Sequence, residues 1–181
     1  MSRKYKINNK EGIYFVSFAV VYWIDVFIRR DYKDIFVESL RYCQNNKNLR
    51  IHAWCIMTSH VHLIISSDGK ELSGILRDLK SFTSTRIKKA IMENSVESRK
   101  EWMIWMMKRA GIKNSNNDGF QFWQQNNHPI ELYSPAVTKQ KLDYIHNNPV
   151  VEGIVENAED FLYSSAMDYA GNKGLLDIDK I

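Results

Sequence analysis

Aromatic and β-branched residues crowd Gly12–Ile24, GIYFVSFAVVYWI, a composition that favours a strand over a helix. Over Asp31–Asn46 the apolar residues Ile35, Leu40, Tyr42 and Cys43 fall at roughly helical spacing, and an Asn-rich exit closes the segment. Two further apolar runs, Ile51–Thr58 and Val61–Ser66, are separated only by a short polar break, which predicts a hairpin with a tight connection. From Leu72 to Ile91 the positions Leu72, Ile75, Leu76, Leu79, Phe82, Ile87 and Ile91 keep helical spacing. Arg77, Lys80, Ser84 and Lys88 fall largely on another face. WMIWMM, Trp102–Met107, precedes a Gly- and Asn-rich loop, and Gly119–Gln124 again reads as a strand. Ser134 can then cap, and Pro135 can open, a helix that Pro149 must end.

The order strand, helix, two strands, helix, strand, helix fits an α+β sandwich of ferredoxin type, an antiparallel sheet with helices on one face. At 181 residues, 44% hydrophobic and 25% charged, the chain suits one domain spanning 1–181, with an inserted helix and loop at 93–119. Cys43 and Cys55 lack CxxC spacing, so a zinc knuckle or disulfide framework is not expected; they read as reduced core thiols of a cytoplasmic protein. No run approaches membrane-spanning length, and the polar start MSRKYKINNKEG does not resemble a signal peptide. A net charge of +4 suits a polyanionic partner without requiring one. Arg3, Lys4 and Lys6 form a basic N-terminal arm.

Candidate chemistry begins at His60 and His62 in MTSHVHLIIS. On a strand, residues i and i+2 share a face, so the two imidazoles project together, roughly 7 Å apart at Cα, while Val61, Leu63 and Ile65 face the core. Two imidazoles on an open sheet face can converge on one ion, yet two ligands are an incomplete site and the spacing alone does not decide for metal. His52, His128 and His146 read more simply as capping or surface residues. In KLDYIHNNPV, Tyr144 and Asn148 stack one turn apart on a helix. On the residues alone, a packed tyrosine and an asparagine closing the helix before Pro149 account for that pair more simply, and Pro149 biases Asn148 away from helical geometry.

A resemblance changes the weighting. SHVHL is similar to the His-hydrophobe-His motif of HUH endonucleases, and LDYIHNNPVVEGIV resembles the tyrosine helix of their single-tyrosine transposases. Together with AWCIMTSHVHLII, LKSFTSTRI, FQFWQQ and FLYSSAMDYAG, in that order along Gly12–Gly171, they make the chain similar to the REP-associated tyrosine transposases, relatives of insertion-sequence transposases acting on single-stranded DNA. Glu93–Gly119 has no counterpart among these motifs.

The resemblance implies Tyr144 as nucleophile, His60 and His62 as metal ligands, Asn148 as third ligand, and Mg²⁺ or Mn²⁺ as the ion. It implies a 5′-phosphotyrosine intermediate and single-stranded or hairpin DNA as partner, handled by a monomer or a homodimer. Arg77, Lys80 and Lys88 are candidates for tracking phosphates along one helix face. Two other function classes stand beside it: a domesticated hairpin-DNA binder with little catalysis, and a metal-dependent hydrolase using water in place of Tyr144.

Overall fold

The computed structural model describes residues 7–114, 119–125 and 127–181, so the basic arm at Arg3, Lys4 and Lys6 lies outside the described residues. Strand β1, Tyr14–Ala19, leads to helix α1, Arg30–Lys47. The hairpin β2, Leu49–Ile56, and β3, His60–Ser67, follows, then helices α2, Leu72–Glu93, and α3, Lys100–Ile112. A two-residue strand β4, Ile130–Glu131, helix α4, Pro135–Val151, and the short helix α5, Ala166–Tyr169, complete the order. The sheet runs β2-β3-β1-β4 with every pairing antiparallel, the order of a ferredoxin-like sandwich.

Alternation assigns the two faces. Val16 and Phe18 of β1 pair with Leu63 and Val61 of β3, and all four are fully buried. Phe18 meets Phe36 of α1 edge-on, and Trp123 donates its indole N–H to Thr83 of α2 while contacting Phe18, Phe27 and Phe36. The long amphipathic helices α1 and α2 therefore cover this side. Phe15 and Ser17 of β1, opposite Ile64 and His62, belong to the other side, where α4 lies with Tyr144 against Phe15 and His62. The sandwich is thus not one-sided. Helix α4 buries only Ile145 and Pro149, so its pattern carries little sign of the surface that it covers.

Four local expectations change. The first strand stops at Ala19, because the chain turns at Val21–Ile24 instead of extending. Gly119–Gln124 forms no strand: Phe122 and Trp123 are adjacent and both buried, which alternation over a single core face does not allow, and its backbone pairing is an isolated bridge, Val20 to Trp123. The edge strand is instead Ile130–Glu131, too short to show a period. Finally, α4 runs through Pro149 to Val151. In the last turn a proline removes a single helical bond, and Ile154 N–H and Glu152 N–H still reach the Pro149 and Asn148 carbonyls at 2.8 and 3.0 Å.

Helix α3, Lys100–Ile112, buries Met103, Met107 and Ala110 while Trp102 and Trp105 stay about half exposed. Gly111 permits its contact with the following chain. A Cβ there would sit 2.1 Å from the Phe120 backbone nitrogen and 2.5 Å from the Gly119 carbonyl carbon. Gly111→Ala is therefore expected to destabilise the protein by about 1–3 kcal/mol despite alanine's better helix propensity, measured by denaturant unfolding. A stabilised variant would show that the 119–120 chain can move away freely.

The free edge of β2 is covered by the C-terminal segment. Ile56 N–H donates to Tyr163 O at 2.9 Å, Ser165 N–H to Trp54 O at 3.0 Å, and Asp179 N–H to Ile51 O at 3.0 Å. His52, at the bulge between Ile51 and Ala53, is buried and bonded at both ring nitrogens, to Asp179 O and Ser66 Oγ. Among the described residues no helix is long and apolar enough to cross a membrane.

Candidate active site

His60 and His62 open β3 and project to the α4 side, with ring centroids 4.7 Å apart. Hydrogen bonding of the hairpin sets their place: the three-residue connection closes with Met57 N–H donating to His60 O at 2.8 Å, and Val20 N–H donates to Ser59 O at 2.9 Å. Ser59 Oγ lies 3.2 Å from His60 Nδ1. His62 is buried, stacked on Phe15 at 5.6 Å, and its Nδ1 has no protein partner.

Tyr144 meets this pair from the same chain. Its hydroxyl is 3.5 Å from His62 Nε2, a long contact, and its ring packs edge-on against Phe15 and His62. Even so, Tyr144 as a residue is 48% exposed. Helix α4 is positioned from both ends of its mid-section. Ser134 caps it by accepting from Val137 N–H, and His146 Nε2 lies 2.8 Å from Ser165 Oγ, which also accepts from Trp54 N–H of β2. His146 is thus a structural tie, consistent with its half-buried packing on Tyr169.

Electrostatics keep the imidazoles neutral. Burial, then the neighbouring His60 and the Lys141 ammonium, push His62 down to about 3. Burial also lowers His60, against the opposing pull of Glu152. Neutral imidazole is the ligating form, so these residues suit a metal ion. Among the described residues no three His, Cys, Asp or Glu side chains converge, so an ion here needs another kind of donor. Asn148, half-buried one turn beyond Tyr144 on the continuous helix, offers an amide oxygen on the same face. Two neutral imidazoles and an amide oxygen make a donor set that a divalent cation accepts.

The α2 cations do not join this group. Arg77, Lys80 and Lys88 lie in the helix layer across the sheet, and Lys80 is engaged internally, donating to Gln124 O at 2.8 Å and Asn127 Oδ1 at 2.6 Å over the Phe18 ring. Burial pushes Lys80 down to about 8. Its expected role in tracking DNA is corrected to tying α2 to the 124–127 loop. Lys88 sits over Phe120 and Arg77 pairs with Asp78 on the exposed surface.

Sequence reading passed over the cation that does reach the site. Lys141 Nζ lies 4.9 Å from the Phe15 ring centre and 5.6 Å from that of Tyr144. Its spacing of three residues before Tyr144 was the available signal. Glu152, a turn beyond Asn148, is within electrostatic reach of His60. Trp23 packs edge-on against His60 at 5.5 Å. It follows Tyr22 in a turn closed by Ile24 N–H to Val21 O, with both central residues at positive φ, 55° and 56°. Such a turn favours Asn and Gly; holding two bulky residues there costs roughly 1–2 kcal/mol each.

The family model "Transposase IS200 like" matches residues 12–109, from β1 through both histidines into α3. The chain belongs to this transposase family. The match ends before Tyr144, which joins the histidines only through the fold. Among solved structures, a REP-associated tyrosine transposase bound to a REP hairpin is similar over 100% of this chain and 95% of its own, with a TM-score of 0.67 and 18% identity. That likeness shows the shared α+β fold. A candidate transposase from Deinococcus radiodurans R1 aligns over 81% of this chain and 97% of its own, with 19% identity and a TM-score of 0.44. No curated protein matches the sequence.

Proposed function

We propose that this transposase cleaves and rejoins single-stranded DNA beside hairpin elements through a 5′-phosphotyrosine intermediate, with Tyr144 as nucleophile and His60, His62 and Asn148 holding Mg²⁺ or Mn²⁺. The observation that carries the reading is the Tyr144 hydroxyl 3.5 Å from His62 Nε2, with His60 beside His62, all within one chain. In this reading the tyrosine and both histidines of one site come from one chain. The hairpin-bound solved relative supports hairpin DNA as the substrate class.

The Tyr144 oxygen gives up its phenolic proton and attacks the scissile phosphorus as the P–O3′ bond breaks, and the departing oxygen takes up a proton and leaves as a 3′-hydroxyl; the reverse step rejoins strands without an outside energy source. A bound divalent ion supplies charge neutralisation at the phosphate. Phe15 and His62 orient the phenol by edge contacts, so little rotational freedom remains to be lost in the attack. Lys141, beside the same ring, supplies a positive charge where the phosphate must come.

The test is a denaturing-gel assay with labelled single strands flanking the protein's own gene, with Mn²⁺, Mg²⁺ or chelator. A metal-dependent covalent adduct is expected. Cleavage without an adduct would favour water as nucleophile, and binding without cleavage a domesticated binder. In the same assay Lys141→Met, which keeps an apolar stem over Phe15, is expected to slow adduct formation at least about tenfold. Binding should lose about 0.7 from its log–log salt slope. An unchanged slope would remove Lys141 from contact with the phosphates.

A further inference from the structure

We propose that Tyr22 and Trp23 form a stacking platform that holds an unpaired nucleobase next to the scissile phosphate, an inference that rests on the single-strand reading above. Trp23 is 60% exposed and Tyr22 46% exposed, although each is among the largest apolar side chains available for burial. They occupy consecutive left-handed positions that the chain could fill more cheaply with Asn and Gly. The Trp23 and His60 rings meet in a T-shaped contact at 5.5 Å, and His60 in turn meets His62 at 4.7 Å, so the indole lies directly against one candidate metal ligand and one imidazole away from the other.

The mount is rigid. Trp23 N–H donates to Val20 O at 3.0 Å, Val21 N–H to Phe122 O at 2.8 Å, and Phe27 N–H to Thr58 O at 2.8 Å, which binds the turn to the hairpin connection preceding His60. Just beyond it, Asp25 is paired with Arg99 at 2.9 Å. Flat π faces fixed beside a phosphate-handling centre suit a base of a single strand, whose rings are unpaired and free to stack, and suit a duplex poorly. Acceptance of any base follows, because every base presents a π face.

Binding of a short oligothymidylate, and of the same backbone made wholly abasic, would be measured by fluorescence anisotropy for wild type, Trp23→Ala and Trp23→Phe without divalent ion. Wild type is expected to bind thymidylate at least about fivefold more tightly than Trp23→Ala does, with Trp23→Phe close to wild type and all three alike on the abasic strand. Equal thymidylate affinity of Trp23→Ala and wild type overturns the platform alone; a wild type that binds no single strand and forms no adduct overturns the single-strand reading and this one together. The double variant Tyr22→Asn/Trp23→Gly suits the turn, so its Tm should not fall while thymidylate binding weakens. If it gains stability and binds as wild type does, the two aromatic residues hold no base.

Discussion

Tyr144→Phe is expected to reduce covalent adduct formation to below about a thousandth of wild type while leaving single-strand affinity within about twofold. The structure separates the two roles of this side chain. Its hydroxyl has one contact, the 3.5 Å approach to His62 Nε2, whereas its ring packs on Phe15 and His62. Phenylalanine keeps the ring and deletes only the oxygen that would bond to phosphorus. Stability should therefore change by less than about 0.5 kcal/mol, since a hydroxyl with one long contact contributes little. Adduct yield equal to wild type would transfer the nucleophile to another group. Loss of adduct together with loss of binding would mean that the oxygen serves recognition, not attack.

Two short periodicities gave each pair separately, and only the resemblance to the single-tyrosine HUH transposases joined the tyrosine to the histidines. His60 and His62 are two apart on a strand bounded by clear apolar alternation, and the buried Val61, Leu63 and Ile65 fix their opposite orientation. Tyr144 and Asn148 are one helical turn apart, with Ser134 and Pro135 marking where that helix begins. What the pattern did not contain was the side of the sheet on which α4 lies. Only Ile145 and Pro149 of α4 are buried, so the helix has no strong apolar stripe, and its seat depends on polar ties such as His146 to Ser165.

The same physics explains the other departures. Lys80 resembled its α2 neighbours in sequence, yet its ammonium replaces water with Gln124 O and Asn127 Oδ1, partners more than forty positions away that no helical wheel contains. Pro149 looked like a terminator because the rule describes a helix interior, whereas in the final turn a proline deletes one bond. The positive φ values of Tyr22 and Trp23 contradict their residue preferences outright. Local rules failing beside a candidate site is the expected pattern where function, not stability, chose the residue.

Acid should unfold the metal-free protein through the same imidazoles. His62 titrates at about 3 when folded, pushed down by burial, by His60 and by Lys141, and near 6.5 when unfolded. Between those values the unfolded chain binds the additional proton, so stability increases with pH: the contribution is complete above about 6.5 and disappears as pH falls toward 3. At 1.36 kcal/mol per unit, His62 alone costs about 2–3 kcal/mol on going from pH 6.5 to 4.5. His146, lowered to about 4 mainly by burial, acts in the same direction. Urea unfolding in chelator at pH 7.5 and 4.5 should therefore show wild type losing on the order of 5 kcal/mol, a large part of a typical domain's stability. His62→Gln is expected to be less stable than wild type at pH 7.5, where it forfeits the Phe15 stack, and more stable at pH 4.5, where it has no proton to accept. If the two stability–pH curves run parallel, His62 is not the group that titrates. On the proposed metal role Mn²⁺ would compete with protons for the imidazole lone pairs, so it should stabilise wild type at pH 7.5, fail to do so at pH 4.5, and have little effect on His62→Gln at either pH.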